Sequence, residues 1–145
     1  MKPASGSLSC GHAMRAFAAM LGAVAALLAA SPVHAIELTG AWASDESACS
    51  KIFERRGGKI TISRSAEIYG SGFIIEESRI RGQIATCAIK SRKRDGAVLH
   101  MHTTCSTDVA LQDVQFSVKP ENDNKIIRIF PGISELDRPY YRCSF

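Results

Sequence analysis

Two histidines standing two residues apart, His100 and His102, are the first candidates for chemistry in this 145-residue chain. On a strand that spacing puts both imidazoles on one face, where they could share a metal ion. Val98 and Thr104 occupy the same face, and no Cys, Asp or Glu of fixed position completes a ligand set. A solvated sheet face accounts for the same pattern. Close by, Lys90, Arg92, Lys93 and Arg94 gather cations ahead of Asp95-Gly96, with Arg79 and Arg81 upstream. Such a patch suits an anionic partner, for instance lipopolysaccharide, an acidic glycan or an acidic protein surface. It equally suits a soluble turn whose edge charges block sheet pairing. Glu76-Glu77 makes no catalytic pair, because adjacent strand residues face opposite sides. No Gly-x-Ser-x-Gly, phosphate-cradling glycine loop or H-E-x-x-H is present. The loops Tyr69-Gly70-Ser71-Gly72-Phe73 and Phe130-Pro131-Gly132-Ile133 carry apolar residues at their edges. They suit a contact surface or the cover of a barrel end.

Chemistry at sulfur depends on compartment, and residues 1–35 set it. An apolar run from Ala16 to Ala30 follows a short basic stretch, and Val33-His34-Ala35 offers small residues for a signal peptidase. The run is too short for a relaxed crossing of a hydrocarbon core ~30 Å thick. Cys10 precedes it, whereas lipidation needs a cysteine just after it. The expectation is a signal peptide over 1–35, cleaved after Ala35, with a possible true start at Met14. The exported part, 36–145, is then a single domain in the periplasm or outside the cell, not embedded in a membrane. Loss of Lys2 and Arg15 lowers its net charge from +4 to +2. That is too little for a nucleic-acid-binding signature.

Loss of Cys10 also leaves an even set, Cys49, Cys87, Cys105 and Cys143. In an exported domain these read as two disulfides. Zinc is disfavoured, since no two lie at C-x₂₋₄-C spacing. Cys49 to Cys87 and Cys105 to Cys143 span equal separations, which favours the pairs Cys49–Cys87 and Cys105–Cys143 as successive loops. A Cys87–Cys105 bridge across a hairpin is the rival.

The elements that must position these groups are short alternating runs broken by turn residues, the rhythm of an all-β domain. Runs begin near Glu37, Lys59, Phe73, Gln83, Val98, Val109, Lys125 and Arg138. Asp45 or Ser47 can cap a short helical turn after the first run. Asp95-Gly96 marks the clearest hairpin. Centring the turn there sets Cys87 near residue 104, close to Cys105 but not opposite it. Leu111 falls on the wrong parity for the Val114, Phe116, Val118 face, which suggests a bulge at Leu111-Gln112. Sequential pairing of about eight strands gives a small antiparallel up-and-down barrel or curled sheet with two disulfides.

Gly40-Ala41-Trp42 on the first strand resembles the start of calycin barrels, the lipocalin-like group. The resemblance implies that Trp42 plugs one barrel end, with Arg142 of the last strand as its stacking partner. Both would be structural, as would Gly40. The exported part is also similar to small secreted proteins of alphaproteobacteria of rhizobial type, a group without an assigned activity. The residues that carry this likeness are Gly40-Ala41-Trp42 before Cys49, Tyr69 to Glu76, Asp113 to Ser117, Arg128 to Gly132 and Tyr140 to Cys143. Together these features favour a non-enzymatic binding or inhibitor module that needs no cofactor. Its partner would be a small apolar ligand in the barrel, an anionic envelope component or a protein at the loop ends. An envelope structural or stress protein and an enzyme of unfamiliar type are the alternatives.

Overall fold

The structure, a computed structural model, describes residues 36–145. The expected signal peptide, Met14 and Cys10 lie outside the described residues. Among the described residues ten strands form: β1 (Gly40–Ala43), β2 (Phe53–Arg56), β3 (Lys59–Ile62), β4 (Gly72–Ile75), β5 (Arg79–Gly82), β6 (Thr86–Asp95), β7 (Val98–Ser106), β8 (Leu111–Asn122), β9 (Lys125–Ile129) and β10 (Arg138–Cys143). From β4 to β10 each strand pairs antiparallel with the next. β1 closes the barrel by pairing with both β4 and β10. The result is an eight-stranded closed barrel, as the alternating runs imply. Its membership differs from the sequence expectation. Lys59–Ile62 pairs with Phe53–Arg56 in a separate two-stranded sheet, and Arg79–Gly82 takes the barrel position instead. That strand carries a single large apolar residue, Ile80, between two arginines, so alternation could not reveal it.

The β6–β7 hairpin decides one disulfide. Its turn is Gly96-Ala97, one residue later than expected, because Gly96 takes the positive φ (+54°) that the turn requires. That register alone would set Cys87 opposite Ser106. An extra residue, Lys90, bulges between Ile89 and Ser91 and returns Cys87 to Cys105. The two are direct cross-strand partners and form a disulfide. The other joins Cys49 to Cys143. The favoured pairs Cys49–Cys87 and Cys105–Cys143 are therefore wrong, and the hairpin bridge is correct. The bulge expected at Leu111-Gln112 is also absent, since β7–β8 pairing runs unbroken from Leu99↔Val118 to Ser106↔Leu111. Leu111 simply faces outward and is 73% exposed. β8 is instead irregular between Pro120 and Asn122, beside a proline that has no N–H for the ladder.

Two cores lie on opposite faces of β1 and β4. Trp42, Phe73, Ile75, Ile80, Met101, Val118 and Ile126 fill the barrel. Ala41, Ala43, Ile74 and Cys143 point outward and are covered by Ala48, Ile52, Phe53 and Ala66. Those covering residues belong to the segment between β1 and β4. It holds a 3₁₀ turn at Glu46–Ala48, α1 (Cys49–Ile52), the β2–β3 hairpin and α2 (Ala66–Tyr69). Asp45 caps the first turn, its carboxylate accepting from the Ser47 N–H at 2.8 Å. Close approach depends on small residues. A Cβ on Gly72 would lie 2.7 Å from Ile52 and 2.8 Å from Phe53. The Cys49–Cys143 bridge ties α1 to β10 at this junction.

Candidate functional site

The two ends of the barrel are built differently. At one end stand the β4–β5, β6–β7 and β8–β9 turns and the start of β1. Here Trp42, fully buried, pairs across the strands with Arg142 and Phe73. The Arg142 guanidinium lies 4.3 Å from the Trp42 ring centre. It also donates to the carbonyls of Asp123 (2.6 Å), Thr39 (2.8 Å) and Glu37. Trp42 Nε1 donates to the Leu38 carbonyl at 2.9 Å. Gly40 is required at this crowded point: its φ is +137°, and a Cβ would lie 2.9 Å from Arg142 Nη1. One arginine thus joins the segment before β1, the β8–β9 turn and the buried indole, and this end is closed.

The cations of the β6–β7 hairpin do not form one patch. Arg92 and Arg94 pair with Met101 and Leu99 and face the barrel side, whereas Lys93 pairs with His100 on the opposite face. Arg92 donates to the Glu77 carbonyl. Lys90, on the bulge, lines an outer groove with His102 and Asp113. Arg79 and Arg81 belong elsewhere, both paired with Glu76. Burial tends to raise the Glu76 pKa, but hydrogen bonds and charge from Arg79 and Arg81 outweigh it and hold the carboxyl below its ordinary value. Arg81 also donates to the Ile60 carbonyl at 2.8 Å, bracketing β3 to the barrel.

His100 and His102 share the outer face of β7 as their spacing implies. His100 Nδ1 is hydrogen-bonded to Ser117 Oγ at 2.7 Å, and Gln115 Nε2 lies 3.1 Å from the same nitrogen. Nearby Asp113 accepts from Thr104 Oγ1 at 2.7 Å. Among the described residues no three His, Cys, Asp or Glu side chains converge as a metal site.

The opposite end carries the connection from β1 to β4 and the β5–β6, β7–β8 and β9–β10 loops. Both apolar-edged loops read from the sequence, Tyr69 to Phe73 and Phe130 to Ile133, meet this end. Ser71 Oγ and Tyr140 Oη are hydrogen-bonded at 2.9 Å, and Gln83 Nε2 donates to the Gly70 carbonyl. The exposed large apolar side chains concentrate here: Ile68 and Tyr69, Ile84, Val109 and Leu111, Ile133 and Leu136. Phe145 is the one described residue of that kind outside the group. Val109 and Ile84 are 94% and 82% exposed. Each loop contributes, so the apolar side chains ring the end rather than scatter over the surface.

Inside the ring lies a side chain that the sequence did not single out as a site. Arg128 of β9 pairs with Val118, which fixes it on the inner face, and it is 8% exposed. Its guanidinium stacks 3.6 Å above the Phe116 ring centre and 4.8 Å from that of Phe130. Nη1 donates to the carbonyls of Ser117 (3.0 Å) and Ile129 (3.1 Å). Among the described residues no carboxylate lies within salt-bridge distance. Burial lowers its pKa to about 10, outweighing the opposing charges of Tyr140 and Asp137, so it stays charged at neutral pH. The nearest signal is the run Lys125-Ile126-Ile127-Arg128-Ile129-Phe130, where isoleucine occupies both faces. Parity there points equally to Arg128 inside or outside.

No known family, curated protein or solved structure matches this sequence.

Proposed function

We propose that the domain is an exported, non-enzymatic binding module, of the kind that can act as an inhibitor, and that it holds a protein partner at the open loop end of its barrel. The observation that carries this reading is the concentration of exposed apolar side chains at that end, opposite an end sealed by Trp42 and Arg142. Exposed apolar area of this kind is what a protein interface covers. A small apolar ligand within the barrel is less well supported, because Trp42, Met101, Val118 and Ile126, all within 1% of full burial, already occupy the interior. Two disulfides fit an oxidising compartment. No helix among the described residues is long and apolar enough to cross a membrane. The stacked pair of Trp42 and Arg142, with Gly40 beside it, supports a kinship with calycin barrels.

The test is site-specific photocrosslinking in the host envelope, with a photoreactive residue at Val109, at Leu136 or at Lys93. Discrete protein adducts from Val109 and Leu136, and none from Lys93, are expected. Adducts from Lys93 alone would instead support the second reading, an anionic envelope component at the hairpin. That reading draws on Lys93, which is exposed and outside every described salt bridge.

A further inference from the structure

Arg128 brings a buried charge to the otherwise apolar loop end. Its charge is placed in a low-dielectric site between two aromatic rings, yet among the described residues no carboxylate pairs with it directly; Asp137, whose carboxylate accepts from the Phe130 N–H, acts only from beyond salt-bridge distance. A buried guanidinium normally has a carboxylate partner, and its bidentate fork suits that group. Among the described residues only Nη1 has protein acceptors. No fully buried side-chain nitrogen among the described residues lacks a partner, so Nε and Nη2 keep contact with the surface. The direction of that opening follows from the register. The Arg128 Cα lies level with Val118, but its guanidinium reaches back over Phe116 and toward Phe130, the first residue of the β9–β10 loop. The guanidinium therefore sits on the loop-end side of its own strand position, with Ile133 and Leu136 in the same loop and Val109 in the next.

We propose that Arg128 is a carboxylate receptor, and that the loop end binds an apolar protein segment that presents a carboxylate to it, as the C-terminus of a polypeptide does. The apolar ring covers the segment's side chains while the guanidinium receives the carboxylate. The proposal rests on the loop-end docking reading and adds the chemistry of the partner. The sealed end offers no comparable site, because the Arg142 guanidinium is committed to three backbone carbonyls and its face to Trp42.

The probes are short acetylated peptides of Leu, Phe and Val, each made with a free C-terminal carboxylate and as the C-terminal amide. They are titrated into the disulfide-intact domain, isotope-labelled for NMR at neutral pH. The acid forms are expected to bind about tenfold or more tighter than the amides, the ratio of a charge-assisted pair to a neutral one. Shifts should appear at the Arg128 Nε and at the methyls of Val109, Ile133 and Leu136. R128Q should bind acid and amide equally, and R128K should keep part of the preference. If R128Q does not fold, the acid-to-amide ratio in the unaltered domain still decides. Equal binding of both forms at the loop end overturns the carboxylate assignment and leaves loop-end docking standing. Binding of neither form there, or shifts confined to Arg92–Arg94, overturns the proposal. Self-association through the loop end without acid preference overturns it as well.

Discussion

At the residue scale the decisive side chains are arginines, and each is defined by what its fork meets. Arg142 meets three backbone carbonyls and an indole face, and so it closes one end. R142A should destabilise the domain by roughly 2–3 kcal/mol, from lost charge-assisted bonds and stacking. R142K should fall between, since an ammonium cannot reproduce the planar fork. Urea denaturation with the disulfides intact measures both. Arg81 joins Glu76 to the Ile60 carbonyl, and this makes Glu76 a pH-sensitive contact. The folded pKa of Glu76 is depressed below the ordinary value of 4.5. Its contribution is therefore complete above that value and is lost as pH falls through the lower folded value. Urea midpoints for the unaltered protein should drop below about pH 4.5, and E76Q should be weaker at neutral pH with a shallower acid drop. Arg128 was the residue least legible in the sequence. Both faces of β9 carry isoleucine, so alternation could not tell which side the arginine took, and only its pairing with Val118 settles the matter.

At the scale of elements, strand rhythm was legible wherever one face is apolar and the other polar. It failed for β5, which is charged at alternate positions, and for β3, whose Ile60 and Ile62 face the outer core rather than the barrel. The hairpin was legible as a hairpin, but its register rests on a one-residue turn shift, which moves the partner of Cys87 by two residues, and on a bulge that takes back one of them. No count from Asp95-Gly96 recovers both. The two disulfides close loops of 94 and 18 residues. In the chain-entropy model they contribute about 4.7 and about 3.2 kcal/mol. Removing Cys49–Cys143 as a pair of serines should thus cost more than removing Cys87–Cys105. It should also loosen the β2–β3 segment selectively, because that bridge ties the preceding helix to β10. Thermal melts compare the first quantity, and amide hydrogen exchange at Phe53–Ile62 reads the second. Equal protection of this segment in both double variants would show that the bridge does not hold it.

At the scale of the molecule the barrel is polar in the mechanical sense, sealed at one end and apolar at the other. The described backbone enters at the sealed end, where Arg142 holds the Glu37 and Thr39 carbonyls. Export processing would then leave the new N-terminus beside the plug and away from the loop end. Intact mass and N-terminal sequencing of the envelope protein should give a polypeptide that begins at Ile36 with four oxidised cysteines. A retained leader would refute cleavage at Ala35. The sequence by itself determined the class of the fold, because alternation, turn residues and an even cysteine set are local and survive without knowledge of partners. The likeness of Gly40-Ala41-Trp42 to the start of calycin barrels also marked Gly40 and Trp42, with Arg142 as the stacking partner that the likeness implies. The tertiary structure alone decided the disulfide pairing, the strand that completes the barrel, the gathering of apolar loop residues at one end and the burial of Arg128. Each of these depends on register or on closure, and both are set by contacts between residues far apart in the sequence.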